Sequence, residues 1–529
     1  MKYFIFRNQT VEPLWAGCDA AFSGYGDISC FDREAERLVW FYLVPPGVAT
    51  QVADEVETYF EKLQLVGRQI PDERPLIVFT LVSTANTLIV QNDRKLLQAI
   101  DEFNHWVTDW ASGKPNVKVV DFHDFTSRFD KGQLINWKFY FISQMVLNPK
   151  LAGEFGIWWR RKERELDLKR KKCLVLDLDN TLWGGVLVEE GVNGILIGGD
   201  YPGKAFLYWQ QALFTLSKSG VILTVCSKNN EADVLEAWDR NPFMVLKKEH
   251  FAAWRINWRD KATNIQELAT ELNIGLDSMV FVDDNPAERE LIRQTMPMVE
   301  VPEFPKRPYE LMSFYDHLVE HYFSIYTVTG EDLNKTEQYK QNAQRAAAQS
   351  TFTSIDDYLS SLGMKLTVMP LDEFNLPRVA HMTQKTNQFN LTTHRYSESD
   401  IRQLVAERCL VYCLSVSDRF GDSGITGEII LRPCGDKTME IDTLLLSCRI
   451  LGKGIEAAFV DTILNQLADN GITTIKATYI KTPKNALVAD FYDRMGFSLT
   501  SKKDDTKQYV LALGEKRTIK KDFYDVTIK

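Results

Sequence analysis

The sequence has no long apolar run and no paired cysteines. It contains no stretch of about 18 consecutive apolar residues, so it predicts no membrane-spanning helix. The apolar stretch at the N-terminus ends at Arg7 and Asn8 and is too short for a secretory signal. The eight cysteines form no CxxC pair and no metal-ligand spacing. In a chain of this size that pattern predicts reduced thiols and a cytoplasmic location.

Basic residues are also outnumbered. Lys and Arg total 62 against 72 Asp and Glu, which gives a net charge of −10 over 529 residues. A general nucleic-acid binder would show a basic excess, so we expect neither a nucleic-acid nor a membrane partner. Apolar residues make up 45% and charged residues 25%, a composition that excludes disorder as the main state. At about 150 residues per domain, the length predicts roughly three to four domains.

The order of apolar and polar segments predicts a multidomain α/β protein. Residues 1–165 alternate strand-like runs such as YFIF and PLIVFTLV with helical spacing, which indicates a parallel sheet. Residues 170–325 repeat this alternation, and each of their strands turns polar at its C-terminal end. A helical connector at 326–360 leads to a mixed α+β stretch at 361–515. The basic tail, 516–529, is predicted to be loose.

The most informative residues follow the first buried strand of the second stretch. Asp177 and Asp179 come after the apolar run CLVL, and residues at i and i+2 point to the same side of a strand end. Unpaired carboxylates are costly there, and a hard divalent cation would relieve their repulsion. Asp283 and Asp284 follow a second apolar run, MVFV. Two acidic strand ends in one α/β unit predict a Mg²⁺ site.

A hydroxyl and an ammonium accompany these acids. Ser227 ends the strand ILTVCS, and Lys261 lies in NWRDKATNI. Such groups supply the hydrogen bonds and positive charge that a phosphate needs. The competing interpretation is that the acids are strand ends that face solvent.

The series DxDxT, Ser, Lys and DD resembles the haloacid dehalogenase (HAD) phosphatase superfamily. The resemblance implies a Rossmann-like parallel sheet. It also implies that Asp177 attacks the phosphorus atom of the substrate. Asp179 would act as acid and base and would bind the metal through its carbonyl. Asp283 would complete the metal site with the support of Asp284. Little sequence lies at 182–220, so only a minimal cap is expected. The implied phosphate ligands are Thr181, Ser227 and Lys261.

A narrower resemblance covers about residues 170–515. It rests on the segments LVLDLDNTLWGGVLVEEG (174–191), CSKNN (226–230), FVDDNPAERE (281–290), KTNQFNLTTHRYS (385–397) and LLLSCRILGKGIE (444–456). These are similar to FkbH-like proteins. The resemblance implies an enzyme that removes phosphate from an acyl phosphate, 1,3-bisphosphoglycerate, and transfers the glyceryl group to an acyl carrier protein thiol.

The same resemblance implies that Cys226 carries the acyl group. A thiolate can take an acyl group from an acyl phosphate to give a thioester. The alternative is a buried structural cysteine. Strand alternation puts Cys226 and Ser227 on opposite faces, so the direction of the thiol is left open.

The last stretch resembles the GNAT acyltransferase fold. An R-x-x-G-x-G loop precedes a predicted helix, and NALVADFYDRMGF follows downstream. The resemblance implies that the loop holds coenzyme A or the phosphopantetheine of a carrier protein, because a helix N-terminus favours phosphate. Tyr492 would protonate the leaving thiolate, or it is a core aromatic residue. The predicted ligand-binding residues are Arg449, Gly452, Lys453, Gly454 and Asn485.

Residues 1–165 are similar in position and pattern to SGNH-hydrolase-like domains. The GDS nucleophile of that family is absent, because Gly26-Asp27-Ile28-Ser29 does not match it. Asp121 and His123 match its D-x-H pair, and a pair without a nucleophile indicates a degenerate domain.

Three rival functions stay open from the sequence. One is a HAD phosphatase that acts on a small phosphorylated metabolite. The second is a GNAT-type N-acyltransferase in surface-sugar or secondary-metabolite biosynthesis. The third is a scaffold with inactive sites, which the complete DxDxT, Ser, Lys and DD series disfavours.

Overall fold

The chain folds into two compact units, Met1–Asp167 and Leu168–Lys529. The computed structural model describes residues 1–71, 74–114, 116–328, 339, 341, 354–447, 450–451, 453–514, 516–519 and 523–529. Most of the predicted connector at 326–360 lies outside the described residues, although Ile355–Leu362 is a helix. No helix among the described residues is long and apolar enough to cross a membrane.

The first unit contains the predicted parallel sheet. Its five main strands lie in the order β2-β1-β3-β5-β7, and β4 pairs with β6. The strands are β1 (Lys2–Arg7), β2 (Asp19–Tyr25), β3 (Arg37–Phe41), β4 (Gly47–Val48), β5 (Leu76–Phe79), β6 (Asn86–Thr87) and β7 (Val117–Val120). The helices are Glu12–Trp15, Ala49–Gln69, Lys95–Ser112, His123–Thr126, Lys131–Leu134, Trp137–Ser143, Pro149–Leu151 and Ala152–Leu166. Apolar clusters cover both faces of the sheet. The SGNH-like assignment stays a prediction.

The second unit begins with a four-stranded parallel sheet in the order β10-β9-β8-β11. Its strands are β8 (Cys173–Leu176), β9 (Ile222–Ser227), β10 (Ala253–Ile256) and β11 (Met279–Val282). Every residue of β8, β9 and β11 is buried, which explains their continuous apolar runs. The helices are Leu187–Glu190, Gly203–Lys218, Glu231–Arg240, Lys248–His250, Lys261–Glu271, Leu276–Ser278, Pro286–Thr295, Pro308–Glu310, Leu311–Leu318 and Val319–Phe323.

A mixed sheet follows in the same unit, in the order β18-β19-β17-β16-β15-β14-β12-β20, with β13 paired to β16. Its strands are β12 (Met364–Pro370), β13 (Phe389–Asn390), β14 (Leu410–Asp418), β15 (Gly421–Gly435), β16 (Thr438–Leu446), β17 (Thr474–Ile480), β18 (Ser498–Lys503), β19 (Thr506–Ala512) and β20 (Tyr524–Ile528). The helices are Leu376–Lys385, Glu398–Ala406, Ile455–Asp469, Ala486–Val488 and Phe491–Arg494.

The end of the basic tail is ordered, which corrects the prediction of a loose segment. Strand β20 pairs in parallel with β12, from Tyr524 opposite Met364 to Ile528 opposite Val368. Tyr524 is buried in the core of the mixed sheet. The sequence YDVTI alternates apolar and polar residues, and this short pattern indicates a strand only when an open sheet edge is there to pair with it.

Candidate active site

The C-terminal ends of β8, β9 and β11 meet at one edge of the parallel sheet. This edge opens into a polar cavity of about 350 Å³. Such an edge is where open α/β sheets bind their ligands. The structure therefore brings together the acids, the hydroxyl and the ammonium that the sequence placed at strand ends. The cavity is lined by Asp177, Asp179, Asn180, Ser227, Lys228, Lys261, Asp284, Asn285, Pro286 and Glu288.

Lys261 lies between the two acidic strand ends. Its Nζ is 3.0 Å from Asp177 Oδ1 and 2.5 Å from Asp283 Oδ2. The lysine starts the helix Lys261–Glu271, whose N-terminus is capped by the Asp260 side chain. Burial disfavours the ammonium, but Asp177 and Asp283 outweigh it and hold the pKa of Lys261 above its ordinary value. The lysine therefore remains a cation inside the site.

The turn after β11 fixes the second acidic pair. Asp283 is fully buried, and its Oδ1 accepts a hydrogen bond from the Asn285 backbone. Burial and the nearby Asp177 carboxylate raise the pKa of Asp283 to about 6. Burial and Asp177 also raise the pKa of Asp284. Thr181, predicted as a phosphate ligand, accepts a hydrogen bond from the Asp284 backbone and positions this turn instead of lining the cavity.

The donor set fits a hard divalent cation. One carboxylate oxygen from each of Asp177, Asp283 and Asp284 lies within 4.8 Å of the others. Three carboxylates and the Lys261 ammonium would carry a net charge of −2 when ionised, which an ion such as Mg²⁺ balances. Oxygen-only donors are those that Mg²⁺ prefers. These three side chains would hold the ion.

Asp179 also lines the cavity, and its carboxylate is held by three N–H donors. Oδ1 accepts from Trp183 Nε1 at 3.0 Å and from the Leu187 backbone at 3.1 Å. Oδ2 accepts from Asn229 Nδ2 at 2.9 Å. Burial raises the pKa of Asp179, and these hydrogen bonds oppose the shift.

Trp183 and Asn229 were missed as functional residues. Both belong to segments that carry the FkbH-like resemblance, WGG and CSKNN, but the sequence does not show which residue each of them donates a hydrogen bond to. The lining residues Asn180, Lys228, Asn285 and Glu288 were missed for the same reason. Asn180, Lys228 and Asn285 are each adjacent in sequence to a predicted site residue, which was the available signal, whereas Glu288 lies four residues after Asp284.

Cys226 does not line the cavity. Its thiol belongs to the apolar cluster on the opposite face from Ser227, and it donates to the Lys261 carbonyl at 3.8 Å. Burial raises the pKa of Cys226 to about 12, although Lys261 lowers it. A thiol so placed is not an activated nucleophile in this conformation. Its predicted acyl-carrying role stays a prediction.

Two residues predicted to act in the last stretch are buried. Tyr492 packs against Phe491, Phe497 and Tyr509, and burial raises its pKa. Asn485 donates to the carbonyls of Asn390 and Ile480, and its side-chain oxygen accepts from the Thr482 backbone. These contacts match the alternative of Tyr492 as a core aromatic residue. The role of Tyr492 in protonation and that of Asn485 in ligand binding stay predictions.

The predicted phosphate loop is described only in part. Arg449 and Gly452 lie outside the described residues. Gly454 has φ +71° and precedes the helix Ile455–Asp469. Lys453 Nζ lies 3.8 Å from Asp418 Oδ2. Ligand binding at this loop stays a prediction.

Residues 172–323, less than half of the chain, match the model of the NLI interacting factor-like phosphatase family. They form a domain of the HAD phosphatase type. No curated protein matches the chain.

One similar solved structure is the N-terminal part of a Bacteroides fragilis protein that contains a phosphatase domain, complexed with Mg. It is 25% identical with a TM-score of 0.51, and the match covers 62% of this chain and 94% of that one. The ribosomal-protein-S18-alanine N-acetyltransferase of Escherichia coli is 16% identical with a TM-score of 0.23, covering 29% of this chain and 99% of that one. Ard1 of Thermoplasma volcanium is 16% identical with a TM-score of 0.23, covering 28% and 99%.

Proposed function

We propose that this chain is a Mg²⁺-dependent enzyme that releases phosphate from an acyl phosphate. The observation that carries the proposal is the Asp177, Asp283 and Asp284 carboxylate cluster, bridged by the Lys261 ammonium at 3.0 Å and 2.5 Å. Carboxylates that meet a buried ammonium at a strand-end cavity suit a phosphate better than a neutral ligand. When bound, Mg²⁺ would offset the charge of the phosphate beside these acids.

In phosphoryl transfer, a carboxylate oxygen of Asp177 attacks phosphorus. A new P–O bond forms, the P–O bond to the acyl oxygen breaks, and the acyl group leaves as a carboxylate with the electron pair. Ser227 and Lys261 hold the phosphate oxygens. Water then attacks phosphorus and restores Asp177, with its proton passing to a base for which Asp179 is the predicted residue.

The finer proposal is that the acyl group is passed to the thiol of an acyl carrier protein. From 1,3-bisphosphoglycerate this group is 3-phosphoglyceryl, and hydrolysis of its remaining phosphate ester gives the glyceryl group. In that route the sulfur attacks the carbonyl carbon, a C–S bond forms and the C–O bond to phosphate breaks. The electron pair leaves with the phosphate, which also takes the thiol proton. The motifs shared with FkbH-like proteins at 170–515 support this route. The burial of Cys226 favours direct attack by the carrier thiol over a Cys226 thioester.

The two routes break different bonds, so labelled water separates them. The full chain would be incubated with Mg²⁺ and 1,3-bisphosphoglycerate in ¹⁸O-water, with and without a phosphopantetheinylated carrier protein. Phosphoryl transfer puts ¹⁸O into the phosphate. Acyl transfer gives one unlabelled phosphate and a carrier that gains the 3-phosphoglyceryl mass. Hydrolysis of the second phosphate through Asp177 reduces this gain to the glyceryl mass and releases a phosphate that contains ¹⁸O. Asp177→Asn is the control, and the absence of phosphate release from the unmodified chain would contradict the proposal.

A further inference from the structure

The cavity wall contains an ion pair that the proposed reaction leaves unused. Lys228 Nζ donates to Glu288 Oε1 at 2.6 Å, and both residues line the cavity. Lys228 directly follows Ser227 at the end of β9, whereas Glu288 lies in the first turn of the helix Pro286–Thr295. The pair therefore connects the turn after β9 to the helix after β11.

The two lysines of the cavity differ in burial and in their partners. The Lys261 side chain is 4% exposed and lies against Asp177 and Asp283, so its charge belongs to the cluster of three carboxylates. The Lys228 side chain is 40% exposed and pairs with Glu288, outside that cluster. Lys228 therefore lies at the solvent side of the cavity, whereas Lys261 lies at its buried end.

Lys228 can hold a ligand without leaving Glu288. A lysine ammonium has three N–H donors, and the contact with Glu288 uses one of them. The carboxylate restrains the long lysine side chain, and the other donors remain available to an anion. Because Ser227 and Lys228 are adjacent and both line the cavity, that anion can belong to the same molecule whose phosphate Ser227 holds.

The cavity has room for more than a phosphate, and its charges decide where a second anion fits. The volume of about 350 Å³ equals roughly a dozen water molecules at about 30 Å³ each, so a small substrate fits beyond its phosphate. Apart from Lys261, Lys228 is the one cation among the described residues that line the cavity. The other charged residues of the wall are acids, which repel a second anionic group everywhere except beside Lys228.

We infer that Lys228 is a specificity residue that binds a second anionic group of the substrate. The inference rests on the proposed phosphate release and narrows its substrate class to acyl phosphates that carry such a group. In 1,3-bisphosphoglycerate the group is the 3-phosphate, held at Lys228 while the acyl phosphate lies at Ser227 and Lys261. Once the 3-phosphoglyceryl group is on a carrier protein, its single phosphate can enter as the reacting one, because the carrier then supplies the binding.

The test compares 1,3-bisphosphoglycerate with acetyl phosphate, whose acyl group carries no charge. Consumption of each acyl phosphate by the full chain with Mg²⁺ and no thiol gives kcat and KM. Lys228→Met removes the ammonium, and Lys228→Arg keeps a positive charge. Lys171→Met is the matched control, because it removes a similar ion pair, to Glu300 at 3.0 Å, before β8 at the opposite edge of the sheet.

We expect the unmodified chain to favour 1,3-bisphosphoglycerate in kcat/KM by about tenfold or more, which is the effect of a hydrogen bond to a charged group. Lys228→Met should abolish this preference, chiefly by raising KM for 1,3-bisphosphoglycerate. Lys228→Arg should keep most of the preference, and Lys171→Met should keep all of it. Added salt should weaken the preference, because Lys228 is partly exposed.

The outcomes separate this inference from the proposed function. The inference is overturned if the unmodified chain does not favour 1,3-bisphosphoglycerate, if Lys228→Met retains the preference, or if Lys171→Met loses it as well. Each of these results leaves the proposed phosphate release standing, whereas consumption of neither substrate overturns both. Should Lys228→Met fold poorly, the salt series on the unmodified chain decides, and a preference that salt does not change overturns the inference.

Discussion

At the scale of single residues, the direction of one thiol decides between two routes of acyl transfer. Cys226 faces the core while its neighbour Ser227 lines the cavity. We therefore expect Cys226→Ala to keep phosphate release and transfer to the carrier thiol within a few-fold of the unmodified chain. Intact mass after incubation with 1,3-bisphosphoglycerate measures any adduct, with Ser227→Ala as the neighbouring comparison. An adduct on the unmodified chain that Cys226→Ala abolishes would establish the thioester route.

A second residue-scale prediction concerns Glu428 in the mixed sheet. Its side chain is fully buried on β15, and neither carboxylate oxygen has a hydrogen-bond partner. Burial raises the pKa of Glu428 well above its ordinary value, although Arg378 lowers it. Because the pKa of Glu428 in the folded state lies above its unfolded value of 4.5, protonation of this carboxyl favours the folded state. This contribution to the free energy of unfolding is fully present below pH 4.5 and is lost as the pH rises toward the folded-state pKa.

Glu428→Leu should therefore stabilise the second unit at neutral pH, by about 1–3 kcal/mol for removal of an unsatisfied buried group. The gain should shrink at pH 4, where the carboxyl is protonated in both states. Thermal unfolding at the two pH values measures the difference. Glu428→Gln, which removes the charge but keeps a polar group, should gain less. If Glu428→Leu gained less stability over the unmodified chain at pH 7 than at pH 4, that result would contradict this account.

At the scale of elements, Gly454 lies where the helix Ile455–Asp469 begins, close to Tyr524 of strand β20. Its φ of +71° favours glycine, and a Cβ there would lie 2.7 Å from Tyr524 Oη. Gly454→Ala should lower the melting temperature through both backbone strain of about 1–2 kcal/mol and the clash with Tyr524. Gly471→Ala is the matched control, because Gly471 has φ +83° and no atom within 4 Å of its added Cβ. Equal losses in the two variants would mean that the contact with Tyr524 contributes nothing.

At the scale of the whole molecule, each of the two units has its own cores. We expect calorimetry to show more than one transition, because separate cores need not unfold together. Mg²⁺ should shift only the transition of Leu168–Lys529. At a hundred times its Kd, the ion should increase the free energy of unfolding of that unit by about 2.7 kcal/mol. Asp283→Asn should abolish this shift, whereas Glu288→Gln, which alters the cavity outside the three-carboxylate cluster, should keep it. A Mg²⁺ shift in the transition of Met1–Asp167 would place the ion elsewhere.

Much of the fold and of the site could be predicted from particular residues. The apolar runs CLVL, ILTVCS and MVFV predicted buried parallel strands, because strands covered on both faces need no polar alternation. The acids and the lysine at their ends predicted the cluster of Asp177, Lys261 and Asp283. Prediction missed the hydrogen bonds that Thr181 and Asn485 make to segments far away in sequence, and their predicted ligand-binding roles stay predictions. It also failed for the tail, whose strand depends on the open edge of β12.

The sequence by itself determined that acids end two buried strands, because the acids directly follow apolar runs. A desolvated carboxylate there must be paired with a positive charge or take up a proton, wherever the strands lie. It determined as well that Cys226 and Ser227 point to opposite faces. Only the tertiary structure decided which of them reaches the cavity, since that depends on which face of the sheet is covered. It alone decided that Trp183 and Asn229 converge on Asp179, because hydrogen bonds between separate segments depend on distances that residue order does not contain.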